Sequence, residues 1–360
     1  MLALGGQAKN TLCFIKADTA FISPLHTDLS NPVDFARFKR DVRYFLNKNP
    51  KVIAYDLHPE YQSSKYAREL SAFGMYLQPV QHHHAHIASC MAENGLNNKQ
   101  VIGIAFDGTG LGDDGALWGG EFLLSNYKNY TRIACLRQVP LIGAEGAIRE
   151  PYRIASAWLY FLYKDRFLNL DIGLTNKINK NNWKVLKKML LSGLNSPPAS
   201  SMGRLFDAAA SLILGKASAN FEGELAIELE KKASAFNLSE HAYRFGIRKA
   251  GDKYIIEPGP IFKQIVKDLR TGMAKERIAY RFHLSVAKMI IKMSVILSKA
   301  SGIKTIVLSG GVFQNRILLD TSRAGLEEKG FRVFTHDILS SSDAGLSLGQ
   351  AAVAGFINGG

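Results

Sequence analysis

The apolar residues of this chain recur with two different periods, and the changes of period divide the sequence into predicted elements. Short apolar runs that end at glycine, proline or asparagine indicate β-strands, and longer stretches with apolar residues at every third or fourth position indicate helices. Up to residue 99 the order is three strands joined by tight turns, followed by helix, strand, helix, strand and helix. The predicted strands cover residues 2–4, 12–15, 20–23, 51–55 and 76–80, and the predicted helices cover 31–46, 61–73 and 82–94.

The same order of strands begins again at residue 101. A strand over 101–106 leads into a glycine-rich turn over 107–115, and strands over 116–124 and 133–139 follow. Each half therefore has a phosphate-type turn between its first strands. This repetition predicts an α/β protein with a duplicated actin/sugar-kinase-like (ASKHA) fold, in which a nucleotide binds between two lobes. We predict that the lobes cover residues 1–99 and 100–360.

Residues from about 144 to 245 do not continue this order of strands, because their apolar positions follow the helical period. We predict a helical insertion in the second lobe over this region. Its candidate helices cover 148–163, 180–191, 202–214 and 222–235. The α/β pattern then returns, with a helix over 281–300, strands over 304–308 and 332–335, and a final helix over 346–356.

Composition narrows the class of protein. The 360 residues are 47% hydrophobic and 21% charged, which suits a globular protein with a sizeable core. No run of about 18 uncharged apolar residues occurs, so neither membrane insertion nor secretion is indicated and a cytoplasmic location is expected. Cys13, Cys90 and Cys135 form no C-x-x-C pair, so they favour neither a disulfide framework nor a zinc ribbon.

The net charge of +14 permits binding to nucleic acid or to an acidic partner without establishing it. The basic residues are scattered, and aromatic residues are not interleaved with them. A solvated helical face explains the densest group better than a nucleic-acid site. That group consists of Lys177, Lys180, Lys184, Lys187 and Lys188.

Candidate chemistry concentrates in a run of histidines. Four of the nine histidines lie between residues 82 and 86, at the start of a predicted helix. His82 and His86 are four residues apart, so both imidazoles lie on one helix face and can bind the same divalent ion. A polar helix start with solvated histidines, or one core histidine with exposed neighbours, would give the same pattern. Cys90 could approach the same site, although a small core residue explains it better.

Glycine-rich turns offer candidate sites for a nucleotide. Gly5 and Gly6 would let backbone amides approach an anion, with Lys9 as a further donor, although a plain hairpin uses the same residues. Gly310 and Gly311 lie between a predicted strand and a helix, where phosphates bind helix N-termini.

Two acidic residues near predicted helix starts are weaker candidates for this site. Asp207 and Glu224 could hold ribose hydroxyls, although helix capping and first-turn charge are the commoner roles.

Six motifs, in order along nearly the whole chain, resemble the C-terminal carbamoyltransferase domain of the hydrogenase maturation protein HypF. The wider superfamily includes tRNA threonylcarbamoyl transferases and antibiotic O-carbamoyltransferases. The Trp118-Gly119-Gly120-Glu121 run favours the HypF type over the tRNA enzymes. The motifs are LALGGQAKNT (2–11), DLHP (56–59), VQHHHAH (80–86), FDGTGLGDDGALWGGE (106–121), SMGRLFD (201–207) and LSGGVFQN (308–315).

This resemblance implies a set of site residues. His82, His86, Asp107 and Asp343 match the family's ligands for one divalent metal ion, and their nitrogen and oxygen donors suit iron or zinc. By the same resemblance, His83 and Asp114 are the candidate catalytic residues. ATP or carbamoyl adenylate is the implied nucleotide ligand. Its candidate contacts are Gly5, Gly6, Lys9, Gly108, Thr109, Gly110, Gly203, Asp207, Glu224, Gly310, Gly311 and Asn315.

The resemblance also implies a reaction and its partners. In HypF-like proteins a YrdC-like domain makes carbamoyl adenylate, and the present type of domain passes the carbamoyl group to the C-terminal cysteine of HypE for cyanide ligand synthesis. The sequence contains no YrdC-like domain, so such a domain is expected to act in cis or in trans. Two alternatives stay open: a tRNA threonylcarbamoyl transferase-like enzyme and a non-catalytic nucleotide-binding scaffold.

Overall fold

The structure is a computed structural model that describes residues 1–17, 19–236 and 238–358. Its strands are β1 (Leu2–Ala3), β2 (Ala8–Asn10), β3 (Cys13–Lys16), β4 (Thr19–Ile22), β5 (His26–Asp28), β6 (Val52–Asp56), β7 (Tyr76–Val80), β8 (Val101–Leu111), β9 (Leu117–Ser125), β10 (Tyr130–Leu136), β11 (Val139–Pro140), β12 (Pro198–Ala199), β13 (Gly246–Ala250), β14 (Lys253–Glu257), β15 (Thr305–Ser309) and β16 (Arg332–Phe334). Its α-helices are α1 (Pro32–Leu46), α2 (Gln62–Leu70), α3 (His82–Glu93), α4 (Gly146–Arg149), α5 (Tyr152–Tyr163), α6 (Lys180–Ser192), α7 (Met202–Leu214), α8 (Glu224–Ser234), α9 (Gly259–Arg270), α10 (Lys275–Ser301), α11 (Arg316–Glu328) and α12 (Leu346–Asn358).

Two sheets repeat one strand order, as the sequence predicts. The first sheet has the order β4-β3-β1-β6-β7, and the second contains β10-β9-β8-β15-β16. In both sheets the first two junctions of this order are antiparallel and the last two are parallel. The second sheet continues past β10 with β14 and β13. This repeated order confirms the duplicated actin-like fold.

Local sequence signals fix the helix ends near the site. The Ser201 side chain accepts a hydrogen bond from the Arg204 amide and caps α7, and Gly215 ends that helix with a left-handed φ of 72°. Asn31 caps α1 through the Val33 amide, with proline at the first helical position. The Gln81 side chain accepts from the His84 amide and so starts the histidine helix at His82.

Each of the two sheets is covered by a helix that follows the last strand of the other sheet. Helix α3 follows the last strand of the first sheet but packs on β8, β9 and β15 of the second. Helix α12 follows the last strand of the second sheet but packs on β1, β3 and β6 of the first. The two helices cross so closely at Gly349 that an added Cβ would lie 1.8 Å from the Ala85 carbonyl oxygen. The division of the chain at residues 99 and 100 stays a prediction.

The helical insertion forms between β11 and β13 and contains α4 to α8. Its helix α7 packs against β8, so the insertion forms one wall beside the second sheet. Helix α10 begins at Lys275, about two turns before the predicted start, because residues 278–282 continue its buried face. The β13–β14 hairpin and α9 lie in a region for which the sequence pattern gave no elements.

No helix in the described part of the chain is long and apolar enough to cross a membrane. The three cysteines are buried free thiols. Burial raises the pKa of Cys13 and of Cys135 to about 12, so both are neutral packing residues. Cys90 has no exposed surface and packs in the cluster that joins α3 and α12.

Candidate metal centre and ligand cavity

The histidine helix brings two imidazoles to one point. His82 and His86 are almost fully buried, and their ring centroids are 4.9 Å apart. One helical turn separates them, so both rings project from the same face of α3. The Nε2 atoms of both rings approach the same two carboxylates.

Those carboxylates come from opposite ends of the second half of the chain. Asp107 lies in β8 at the irregular stretch between Phe106 and Gly110, and Asp343 lies in a short turn before α12. The His82 Nε2 atom is 3.3 Å from Asp107 Oδ2 and 3.6 Å from Asp343 Oδ1. The His86 Nε2 atom is 3.5 Å and 3.4 Å from the same atoms. All four ligand atoms lie within 4.8 Å of one another.

Neighbouring groups hold these side chains in place. Asp56, the last residue of β6, lies 2.7 Å from His82 Nδ1 through its Oδ2 atom. The Gly311 amide donates a hydrogen bond of 3.0 Å to Asp107 Oδ1. A carboxylate on the far nitrogen of a histidine fixes the ring orientation and tautomer, as is common at metal sites. Asp56 therefore presents His82 Nε2 to the cluster.

The buried charges shift the protonation of the cluster strongly. Burial by itself would lower the pKa of His82, but the carboxylates of Asp56 and Asp343 raise it well above the ordinary value. The pKa of His86 is likewise raised against the effect of burial by Asp107 and Asp343. Burial would raise the pKa of both carboxyls, but the two histidines hold that of Asp107 well below its usual range and lower that of Asp343 to about 2. The site thus binds positive charge, either protons or a cation.

The donor set fits a metal ion. His86 Nε2 is buried and makes no hydrogen bond to any residue that the structure describes. A buried nitrogen without a hydrogen bond is costly, and the two carboxylate oxygens nearest to it, at 3.4 and 3.5 Å, are themselves potential metal ligands. Two nitrogen and two carboxylate donors suit iron(II) or zinc. The four residues predicted as metal ligands therefore meet at one site.

A cavity of about 890 Å³ opens beside the cluster. It extends from β2 and the residues after β6, past Asp107 and the turn after β15, to helices α7 and α8. It is large enough for a nucleotide-sized ligand. The predicted residues that line it are Lys9, Asp107, Gly108, Thr109, Gly203, Asp207, Gly311, Asn315 and Asp343.

Several predicted glycines lie beside the cluster without lining this cavity. A Cβ on Gly110 would lie 2.7 Å from the His83 ring, and a Cβ on Gly6 would lie 3.4 Å from Asp343 Oδ2. Gly5 has φ of +67°, and its amide donates to Gln350 Oε1. Gly310 has φ of +102°, and an added Cβ would meet the Phe106 carbonyl at 2.2 Å. Gly6 and Gly110 thus allow close packing at Asp343 and His82, whereas Gly5 and Gly310 allow close approach of neighbouring turns and strands.

The structure does not bring Glu224 or Asp114 to the cavity wall. The Glu224 carboxylate accepts from the Asn220 backbone amide and side-chain amide at the start of α8, which is a local first-turn role. Asp114 accepts from the Trp118 indole at 2.8 Å and from Arg132 at 2.9 Å, so it fixes the β8–β9 turn.

The histidines that flank the proposed ligands are buried as well. His83 Nδ1 lies 3.2 Å from the Gln81 side-chain nitrogen, and burial lowers the pKa of His83 well below its ordinary value. His84 Nε2 lies 2.6 Å from the Asn126 carbonyl oxygen. Neither residue lines the cavity within the described ranges. The catalytic role that the resemblance implies for His83 stays a prediction.

The structure adds residues that sequence patterns did not assign. Glu222 lines the cavity two residues before Glu224, and its Oε1 atom accepts from Arg204 at 2.9 Å. Arg204 also lies 3.0 Å from Asp207, whose pKa is raised by burial. Tyr61 lines the cavity near the metal-ligand cluster. In the sequence, only position could have indicated such residues: Asp56 lies at a strand end, and Arg204 and Glu222 lie near helix starts.

Comparisons with known proteins place the chain in one family. Residues 1–93 match the family described as the HypF Kae1-like domain, and residues 103–350 match the second subdomain of the carbamoyltransferase Kae1-like domain. A carbamoyltransferase HypF from Synechocystis sp. is 36% identical over 97% of this chain and 46% of its own length. A carbamoyltransferase HypF homolog from Cupriavidus necator is 34% identical over 98% of this chain and 91% of its own length.

Solved structures give the same result. A crystal structure of full-length HypF in the phosphate- and nucleotide-bound form has a TM-score of 0.93 and 39% identity, over 100% of this chain and 46% of that protein. The structure of HypF from T. kodakarensis has a TM-score of 0.89 and 30% identity, over 99% of this chain and 48% of that protein. The chain thus spans about half the length of these proteins and of the Synechocystis relative.

Proposed function

The chain belongs to the HypF carbamoyltransferase family, and from that premise we propose that it transfers a carbamoyl group from carbamoyl adenylate to the C-terminal cysteine thiol of a HypE-like acceptor. The carbamoyl group would then serve cyanide ligand synthesis for nickel–iron hydrogenase. The observation that best supports this proposal is the cluster of two histidines and two carboxylates at the wall of a nucleotide-sized cavity.

The proposed roles follow the position of each residue around the cavity. His82, His86, Asp107 and Asp343 would hold iron or zinc, which supplies positive charge for phosphate oxygens or for the carbamoyl oxygen. Asp207 and Asn315 would bind the nucleoside, because they lie on the α7 and α11 sides of the cavity. Lys9 would bind phosphate from the opposite lobe.

The transfer is a substitution at the carbamoyl carbon. The acceptor sulfur forms a bond to that carbon, and the carbon–oxygen bond to the adenylate phosphate breaks. AMP leaves with the electron pair of the broken bond, and the thiol proton passes to solvent. The chain contributes by holding the acceptor thiol next to the carbamoyl carbon of the adenylate.

Formation of the adenylate would occur elsewhere. It requires carbamoyl phosphate and ATP together in one site, and in the resemblance that site belongs to a YrdC-like domain. We therefore expect this chain to transfer the group only when such a domain supplies the adenylate in cis or in trans.

Mass spectrometry of the acceptor tests the proposal. The chain, a HypE-type acceptor, carbamoyl phosphate and ATP are incubated with and without a separate YrdC-like domain. A carbamoyl adduct on the terminal cysteine is expected only with that domain, and Asp343→Ala should abolish it. Asp113→Ala is the matched control, since Asp113 is exposed and accepts only from the Tyr130 hydroxyl in the described structure. An adduct formed without the domain, or no adduct with it, would contradict the proposal.

A further inference from the structure

A stacked pair of aromatic rings lines the cavity wall beside the metal ligands. The rings of His58 and Tyr61 are 4.1 Å apart at the centroids and only 6° from parallel. Both residues line the cavity together with Asp107 and Asp343. They belong to the first lobe, whereas Asp207 and Glu222 lie across the cavity on the insertion. Asp56 contacts both the His58 amide and His82, so the pair lies beside the proposed metal ligands, where we place the reacting carbon of a bound adenylate.

Asp56 connects this pair to the metal ligands. Its Oδ1 atom accepts a 2.8 Å hydrogen bond from the His58 amide, and its Oδ2 atom lies 2.7 Å from His82 Nδ1. One carboxylate thus fixes both the start of the His58–Tyr61 segment and the orientation of a metal ligand. The Glu60 amide donates to His58 Nδ1 at 3.3 Å, which further restrains the His58 ring.

The Tyr61 hydroxyl makes no hydrogen bond to the residues that the structure describes, although the side chain is half-buried. Helix α2 does not need that hydroxyl, because Tyr61 precedes it without a side-chain capping bond. A phenol can donate a hydrogen bond, and Tyr61 lines the cavity with no partner for its hydroxyl among the described residues.

The proposed transfer would be faster with a hydrogen-bond donor close to the carbamoyl oxygen. The carbamoyl oxygen gains negative charge as the sulfur–carbon bond forms, and it loses that charge as the carbon–oxygen bond to phosphate breaks. A fixed donor aimed at such an oxygen stabilises the transition state more than the ground state.

We infer that Tyr61 is a catalytic residue whose hydroxyl donates a hydrogen bond to the carbonyl oxygen of the transferred group. His58 is then a positioning residue, which acts on Tyr61 by stacking. The inference rests on the proposed carbamoyl transfer and adds a residue to it. Tyr61 forms no covalent bond and transfers no proton in this role.

Tyr61→Phe tests the inference, because phenylalanine keeps the stacked ring and removes only the hydroxyl. We expect kcat for carbamoyl transfer to fall about 10²-fold, as for loss of one oxyanion donor. KM for carbamoyl adenylate and the metal content should change by less than about threefold. Tyr66→Phe is the matched control in helix α2, which follows Tyr61, since Tyr66 packs in the core and does not line the cavity. It should keep the wild-type kcat.

Variants of His58 separate stacking from other roles. His58→Ala removes the stacked ring and should lower kcat, whereas His58→Phe restores a flat ring and should recover most of it. A His58→Phe variant as slow as His58→Ala would contradict the positioning role.

The assay follows AMP release from carbamoyl adenylate both with and without the acceptor, so hydrolysis of the same bond also reports on Tyr61. Slower hydrolysis in Tyr61→Phe supports the inference even if the wild type does not label a thiol. In that case only the proposed acceptor is wrong. Wild-type rates of both reactions in Tyr61→Phe would overturn the inference. Loss of metal in Tyr61→Phe would also overturn it, because the hydroxyl would then be structural.

Discussion

Asp56 is not one of the four proposed metal ligands, but it supports the candidate metal site. Its carboxylate orients His82, so its replacement should weaken metal binding without removing a ligand. We predict that Asp56→Asn lowers metal affinity about 10-fold to 100-fold, because the charged partner of the imidazole is lost. Competition with a chromophoric chelator measures this change. Asp41→Asn is a suitable control, since it removes a carboxylate from another buried histidine, His26. Equal losses in both variants would contradict a specific role for Asp56.

Protonation of the two histidines opposes metal binding. The carboxylates raise the pKa of His82 and His86, so both retain protons above their ordinary value of about 6.5. The stability that these protons give the metal-free protein is fully present below that value and lost as the pH rises through the raised pKa. The stability that the ionised Asp343 contributes depends on pH in the opposite direction. It is lost only as the pH falls toward about 2.

We therefore predict that metal affinity rises with pH through the raised histidine pKa and that binding releases protons at neutral pH. Calorimetric titrations in two buffers of different ionisation enthalpy measure the protons released. No dependence on the buffer would show that the histidines are already neutral or do not bind the metal.

Residue-level prediction from the sequence succeeded where spacing alone sets geometry. The four-residue interval places His82 and His86 on one helix face, and the structure confirms that they meet. Asp107 and Asp343 are 236 residues apart in sequence, so only the family resemblance linked them before the fold was known. Tyr61 and Glu222 could not be assigned, because their position depends on how the insertion and the first lobe face each other.

At the scale of elements, the crossing of α3 and α12 brings Asp343, which lies just before α12, close to His82 and His86 on α3. Gly349 is the contact point, and a Cβ there would lie 1.8 Å from the Ala85 carbonyl oxygen and 2.8 Å from the Ser89 amide. We predict that Gly349→Ala costs about 3 kcal/mol of unfolding free energy through overpacking. It should also weaken metal binding, because α12 would move Asp343 away from His86.

Chemical denaturation and metal titration of Gly349→Ala measure both effects. Gly355→Ala is the control on the same helix, since its Cβ would meet only the flexible Met1 side chain at 3.3 Å. Helix propensity alone would make both changes stabilising by up to about 1 kcal/mol. A stabilised Gly349→Ala variant would therefore contradict the close crossing.

Element boundaries were predictable where capping or turn residues mark them clearly. Asn31 with Pro32 and the strand at 76–80 gave the observed bounds within one residue. The β13–β14 hairpin was missed because neither Gly246–Ala250, which is mostly polar, nor Lys253–Glu257, whose apolar residues are adjacent, shows apolar alternation. The packing of α12 on the first sheet also could not be read from sequence, since it depends on contacts across more than 300 residues.

At the scale of the whole molecule, the candidate metal centre lies where the two halves exchange helices. Its ligands come from α3, from β8 and from the turn before α12, so one ion would join three segments that meet only in the folded chain. Binding that requires the folded state stabilises it, by about 2.7 kcal/mol when the free metal is at 100 times the dissociation constant. We predict that added metal raises the Tm of the wild type and leaves that of the His82→Ala, His86→Ala double variant unchanged.

The most direct test of the account is elemental analysis of the purified chain alongside this double variant. We expect one iron or zinc ion per wild-type chain and a sharp loss of it in the double variant, with the circular dichroism spectrum of the fold retained. His83→Ala, a change at the neighbouring histidine, should keep the metal. Full occupancy in the folded double variant would contradict a metal centre at His82, His86, Asp107 and Asp343.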